Sequence, residues 1–166
     1  GSEMCIRDSA LADAYNRIGD CNLHVRRFEE AKQYYAKAEN LNTPAGDYAV
    51  YQLALVYGMQ KNYTEKVSML DRLAAKYPNS PYAINALYEK GRSYVQSNNS
   101  RQAIATFREL LAKYPESPVS RKAAAEIGLL YYQNDDYDRA IEAYKHVVTQ
   151  YPGSEEARLA LSLIHI

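Results

Sequence analysis

Residues 114–152 read YPESPVSRKAAAEIGLLYYQNDDYDRAIEAYKHVVTQYP, and this stretch decides the fold. Two Tyr-Pro pairs bracket it. Each proline disfavours helical geometry in the tyrosine before it, so a helix arriving there has to stop. Ser117 and Pro118 follow at once. A serine hydroxyl caps an orphan amide at a helix start, and proline at the first helical position has no amide to waste. The segment YPxS is therefore a stop followed by a start. Between the brackets, apolar residues recur every three to four positions in two runs, 118–133 and 137–150, around the turn QNDD. Amphipathic helices joined by so short a loop fold back as antiparallel neighbours.

Working outward, the rest of the chain is imperfect copies of this unit. Tyr77-Pro78, Tyr114-Pro115 and Tyr151-Pro152 recur at a spacing of 37, each followed by a serine: Ser80, Ser117 and Ser154. The pattern predicts helices over 10–24, 28–41, 47–60, 63–76, 81–97, 101–113, 118–133 and 137–150, with a ninth beginning at Glu155. Asn62 and Glu65 form an N-x-x-E variant of the capping box. On the first helix the apolar candidates are Leu11, Ala14, Tyr15, Ile18 and Cys21. A pair with one apolar stripe per helix cannot bury it alone. Stacking on neighbours does so, and at least three pairs are needed.

The units resemble tetratricopeptide repeats, whose usual period is about 34 residues. The motif positions in the fourth unit are Gly128, Tyr131, Ala140, Tyr144 and Pro152. In the third they are Gly91, Tyr94, Ala103, Phe107 and Pro115. The first unit has Gly19, Ala31, Tyr35 and Ala38, with Asn22 and Thr43 at the aromatic and proline positions. The second departs most: Ala54 stands for the glycine and Lys66 for the alanine, beside Tyr57 and Pro78. The resemblance implies an all-α right-handed α-solenoid of four helix pairs, about 10–44, 45–80, 81–117 and 118–154, plus a truncated fifth at 155–160. The YPxS junctions look like those of bacterial cell-envelope members, BamD-like outer-membrane assembly lipoproteins and the periplasmic Tol–Pal-associated repeat protein. That likeness implies a periplasmic or outer-membrane-associated setting.

Both ends read as foreign. One codon reading of Met4–Ser9, MCIRDS, has a reverse complement that translates as LSLIHI, the sequence of residues 161–166. The string resembles a transposase adapter used in sequencing libraries. Residues 1–9 and 161–166 are therefore expected to be translated adapter, and 10–160 a window from a longer bacterial repeat protein. In the fifth unit, Leu161 and Ile164 fall where Ala124 and Ile127 fall in the fourth, so the tail is expected to continue the helix and pack on the fourth pair.

Composition narrows the function. Formal net charge is zero and the pI is about 7.0. That is not the basic footprint of a nucleic-acid binder, and no run approaches the roughly 20 apolar residues of a transmembrane helix. The aromatics are 17 Tyr and 2 Phe with no Trp, which suits a surface apolar on one side and wet on the other. Cys21 and His24 are too few for zinc, which takes about four ligands, and Cys21 is expected to be a small packing residue. Asp135, Asp136 and Asp138 lack the spacing of a calcium loop and read as helix capping. No Gly-rich phosphate loop or nucleophile motif is present. The expectation is a non-enzymatic scaffold without cofactor or metal.

In the resembled family the concave groove is lined by the non-packing positions of each first helix. Carried over, these are Asn16, Arg17, Asp20 and His24; then Tyr48, Tyr51, Gln52, Leu55 and Met59. The third unit gives Asn85, Tyr88, Glu89, Arg92 and Gln96, and the fourth Lys122, Glu126, Leu129, Tyr132 and Gln133. Tyrosine, amides and charges of both signs suit a peptide or protein surface, where Tyr and Arg carry hot spots. They also suit a glycan of the cell wall, and a regulatory array attached to an enzyme is a further alternative. The carboxylate clamp of the chaperone-tail-binding subfamily is missing, because its basic and asparagine positions hold Asn16, Asp20, Asn85 and Glu89.

Overall fold

The computed structural model describes residues 2–164. They form α1 (Ser2–His24), α2 (Phe28–Asn40), α3 (Gly46–Met59), α4 (Tyr63–Lys76), α5 (Ala83–Gln96), α6 (Ser100–Lys113), α7 (Pro118–Gln133), α8 (Tyr137–Gln150) and α9 (Glu155–Ile164). No strand occurs among the described residues, and this is an all-α helical repeat fold. No described helix is long and apolar enough to cross a membrane. The chain divides into two compact halves, one ending at Ala86 and the other beginning at Leu87. In the first, α1 packs on α2, α2 on α3 and α3 on α4; in the second, α7 packs on α6 and α8, and α9 on α8 and α7.

The turns inside the repeats share one geometry. Arg26, Lys61, Asn98 and Asp135 occupy the same place in successive units, with φ of 62°, 59°, 55° and 59°. The next residue then opens the second helix. Asn62, Asn99 and Asp136 each accept the amide three residues on, from Glu65, Gln102 and Arg139, at 3.3 Å. Asp135 accepts the Tyr137 hydroxyl, so two of the three clustered aspartates serve the turn. At the YPxS junctions Ser117 Oγ accepts from Val119 N and Ser154 Oγ from Ala157 N. Ser80 Oγ accepts from Tyr82 N and donates to Asp47; α5 begins at Ala83, two residues later than the Ser-Pro signal predicts.

The motif glycines mark where helices meet closely. A Cβ on Gly19 would stand 2.6 Å from the Tyr35 ring, and one on Gly128 2.5 Å from the Tyr144 ring. Gly91 meets Phe107 in the same way. In the second repeat the pair is Ala54 with Leu70, both buried: a larger first residue, a smaller second one.

The ends depart from the sequence-based boundaries. The first helix begins at Ser2, not Ala10, and α9 runs on to Ile164, which packs against the second half's core cluster of Ala124, Ala140, Tyr144, Val147, Ala157 and Ala160. Leu161 stays exposed, and His165 and Ile166 lie outside the described residues. The predicted stripe of α1 needs correction. Its buried residues are Ala12, Asn16 and Gly19, whereas Leu11, Ala14, Ile18 and Cys21 are exposed. In the second and fourth repeats the corresponding positions are buried, Gly46, Ala49, Leu53 and Val56 on α3, which packs on α2, and Ser120, Ala123, Ile127 and Leu130 on α7, which packs on α6; α1 follows no such helix among the described residues. Cys21 is therefore a surface thiol rather than a packing residue.

Candidate functional site

The face formed by the first helix of each repeat differs between the two halves. In the first half it is organised by Asp20 on α1. Tyr35 from α2 and Tyr48 from α3 both donate to Asp20 Oδ1 at 2.8 Å. Arg17, one turn earlier, stands 3.6 Å from Oδ2. Burial and then the hydrogen bond to Asp20 raise both phenols, Tyr48 to about 12 and Tyr35 further. Both hydroxyls thus remain donors at neutral pH and tie three helices to one carboxylate. Tyr82 completes the wall: Tyr51 stacks on it at 5.1 Å and 15°, and Tyr48 meets it edge-on at 5.8 Å.

The carried-over positions fare unequally here. Arg17, Asp20, Tyr48, Tyr51 and Gln52 come together around this node, with Gln52 beside Tyr48 and opposing the rise of its phenol. Leu55 is half-buried; His24, Met59 and Asn85 are exposed. Asn16 is a correction. It is buried, and its Nδ2 donates to the Ala45 carbonyl at 3.1 Å, so it packs α1 rather than facing a partner.

In the second half the face is an open cavity of about 320 Å³. Leu129 of α7 and Leu159 and Leu163 of α9 give it an apolar lining, and Lys122, Glu126 and Glu156 supply charges. The three leucines are 39%, 58% and 44% exposed, so they lie open to solvent. Arg92 Nη1 on α5 donates to Glu126 Oε1 on α7 at 2.8 Å. Tyr88 beside them is anchored on Phe107, 5.8 Å between ring centres; burial first, then the Glu126 carboxylate, push its phenol up. Tyr132 is exposed, its ring edge-on to Tyr137 at 5.5 Å, and Gln96 and Gln133 are exposed beyond the cavity. Glu89 is half-buried and engaged.

Tyr82, Glu156, Leu159 and Leu163 were not among the expected residues. A signal existed for the leucines: one period beyond Lys122 and Glu126 lie Leu159 and Leu163. Tyr82 sits one turn before the carried-over positions, where the motif says nothing. Among the described residues no group of three or more His, Cys, Asp or Glu could hold a metal ion.

Sequence profiles of the tetratricopeptide repeat match residues 12–43, 48–80 and 88–155. The chain belongs to the tetratricopeptide-repeat family. No curated protein matches the sequence. Among solved structures, MamA is similar over 92% of this chain and 81% of its own, at 22% identity and a TM-score of 0.68. MamA from Desulfovibrio magneticus RS-1 aligns over 93% and 91%, at 19% identity and 0.68. A tetratricopeptide repeat protein from Parabacteroides merdae ATCC 43184 aligns over 94% of this chain and 59% of its own, at 16% identity and 0.76. At these identities the likeness is one of fold. It supports the repeat family and does not extend to the envelope subtype suggested by the YPxS junctions.

Proposed function

We propose that the chain is a non-enzymatic scaffold that binds a peptide or protein surface on the first-helix face. The carrying observation is the second half's cavity, in which exposed leucines lie among charges of both signs. That is the makeup of a surface that buries an apolar side chain and fixes its neighbours by polar contacts. The first half offers a stiffer wall, because its tyrosines are spent on Asp20 and on one another. A stacked, half-buried tyrosine pair has less ring face to give a sugar, which favours peptide over glycan. Leu163 belongs to the stretch read as adapter, so in the natural protein Leu129 and Leu159 carry the lining. The proposal keeps the reading of 10–160 as a window from a longer bacterial repeat protein, with an envelope setting resting on its junctions alone.

The test is a random-peptide display selection against the chain, followed by affinity measurement on Leu129→Glu and Leu159→Glu. Both leucines are exposed, so melting should stay put while affinity of the selected peptides falls at least about tenfold, the loss expected from charging a buried anchor site. Peptides indifferent to both substitutions would sink the assignment of this face.

A further inference from the structure

The second-helix side of the second half carries a groove that the proposed peptide site does not use. Two adjoining cavities of about 330 and 360 Å³ share Arg108, Leu111 and His146. Helices α6 and α8 form its walls, and Ala124 and Ile127 of α7 line it between them. At one end stands Tyr131. Arg108 Nη2 donates to its hydroxyl at 2.9 Å, and the guanidinium carbons of Arg108 and Arg139 lie 5.9 and 5.8 Å from its ring centre. A guanidinium presents five donors in a fork matched to a carboxylate. Arg108 spends one of them on a neutral phenol and pairs with no carboxylate among the described residues. Arg139 reaches Asp136 at 3.3 Å. Glu142 and Glu116 also line the groove, and neither forms an ion pair with these arginines among the described residues.

The first half shows what fills the corresponding place. Aligned on the motif alanines, Leu111 corresponds to Glu39 and His146 to Arg72. There Arg72 Nη1 lies 2.8 Å from Glu39 Oε2, and Lys76 Nζ lies 3.6 Å from Oε1. The first half closes the space with its own carboxylate and the two cations that hold it; the second has Leu111, His146 and Gln150 at those three positions, an open groove, and two arginines of its own farther along it, at Tyr131. We infer that this groove takes an acidic peptide, with an Asp or Glu carboxylate held by Arg108 and Arg139 beside Tyr131 and an adjacent apolar side chain over Ala124 and Ile127. The carboxylate that pairs with Arg108 comes from the ligand.

The experiment uses the chain carrying Leu129→Glu, which disables the other face, so failure of that site cannot imitate failure of this one. A displayed random dodecapeptide library is sorted on it and counter-sorted on the same protein with Arg108→Glu. Enriched peptides should pair an acidic residue with an apolar one. Their affinity should fall at least about tenfold on Arg108→Glu or Arg139→Glu, as losing a close charge pair implies, and less on Arg108→Lys, which keeps the charge without the fork. Both arginines are exposed, so unchanged melting and helicity show that the variants fold. Enriched peptides without acidic residues, indifference to both charge reversals, or no enrichment over the counter-sort would each overturn the inference.

Discussion

Each half sets its own two second helices side by side, α2 with α4 and α6 with α8, and the two seams are closed differently. Between α2 and α4 the seam is shut by Glu39, 8% exposed at its side chain, gripped by Arg72 and Lys76. Between α6 and α8 the same positions hold Leu111 and His146, and a groove remains. Both halves are built from the same antiparallel helix pairs, so the fold does not dictate what happens on this seam. One chain has used the same scaffold position once for internal cohesion and once for an opening. Substitutions at these positions should accordingly trade stability against surface, and that can be broken experimentally.

The largest effect is expected from Arg72→Ala. It leaves the Glu39 carboxylate buried with only Lys76 near it. Losing one partner of a buried pair costs about 3–5 kcal/mol, reduced here to about 2 kcal/mol because Arg72 is itself half-exposed. Urea unfolding at neutral pH measures it. The double change Glu39→Leu with Arg72→His imports the second half's residues and should recover most of that loss. A double variant less stable than Arg72→Ala would mean that the seam needs its charges, and the two halves would not be interchangeable.

A somewhat smaller effect is expected inside the repeats, from Gly128→Ala. The new methyl would stand 2.5 Å from a ring atom of Tyr144, which is 5% exposed and has little room to move. Overpacking costs roughly 1–3 kcal/mol, against about 1 kcal/mol regained from alanine's better helix propensity. Thermal melting should drop by a few degrees. Adding Tyr144→Leu copies the second repeat, where Ala54 and Leu70 occupy these positions in one buried cluster, and should restore part of the loss. A simple sum of the two single effects would deny that these positions are coupled.

That pair shows what the sequence revealed and what it withheld. The helices, turns and stacking glycines were legible because each rests on local chemistry: a proline stop, a serine or asparagine cap, a missing Cβ. Lys66 at an alanine position looked like decay of the motif. The structure gives its compensation: the lysine stem lies against Gly58, where a Cβ would come within 2.9 Å of Lys66 Cδ. A large residue on one helix is matched by the smallest on the other, across a contact that no spacing rule predicts. The face residues were legible as positions, but their engagement was not. Asn16 spends its amide on Ala45, and Asp20 is claimed by two tyrosines from other helices. The stripe of α1 was misread for a related reason: apolar periodicity marks a face that can be buried, and only a neighbouring helix decides whether it is.

The smallest effect sharpens the comparison of turns. Arg27 opens α2 with φ −85° and ψ 76°, and Asn62 opens α4 with −89° and 76°. Asn99 and Asp136 share this geometry within about twenty degrees. The backbone of the first repeat is thus already set for a cap, yet its side chain makes no cap bond. Arg27→Asn should supply the missing acceptor and stabilise the chain by about 0.5–1 kcal/mol, the usual worth of such a cap. Asparagine is the better choice than aspartate here, since Glu29 and Glu30 already crowd the first turn with negative charge. The gain reads out as a small rise in the urea midpoint at unchanged slope. The same substitution by glutamine, too long to fold back on its own turn, should give little. A null result for asparagine would mean that water already satisfies the first amides of α2, and that the caps of the later repeats contribute less than their shared geometry suggests.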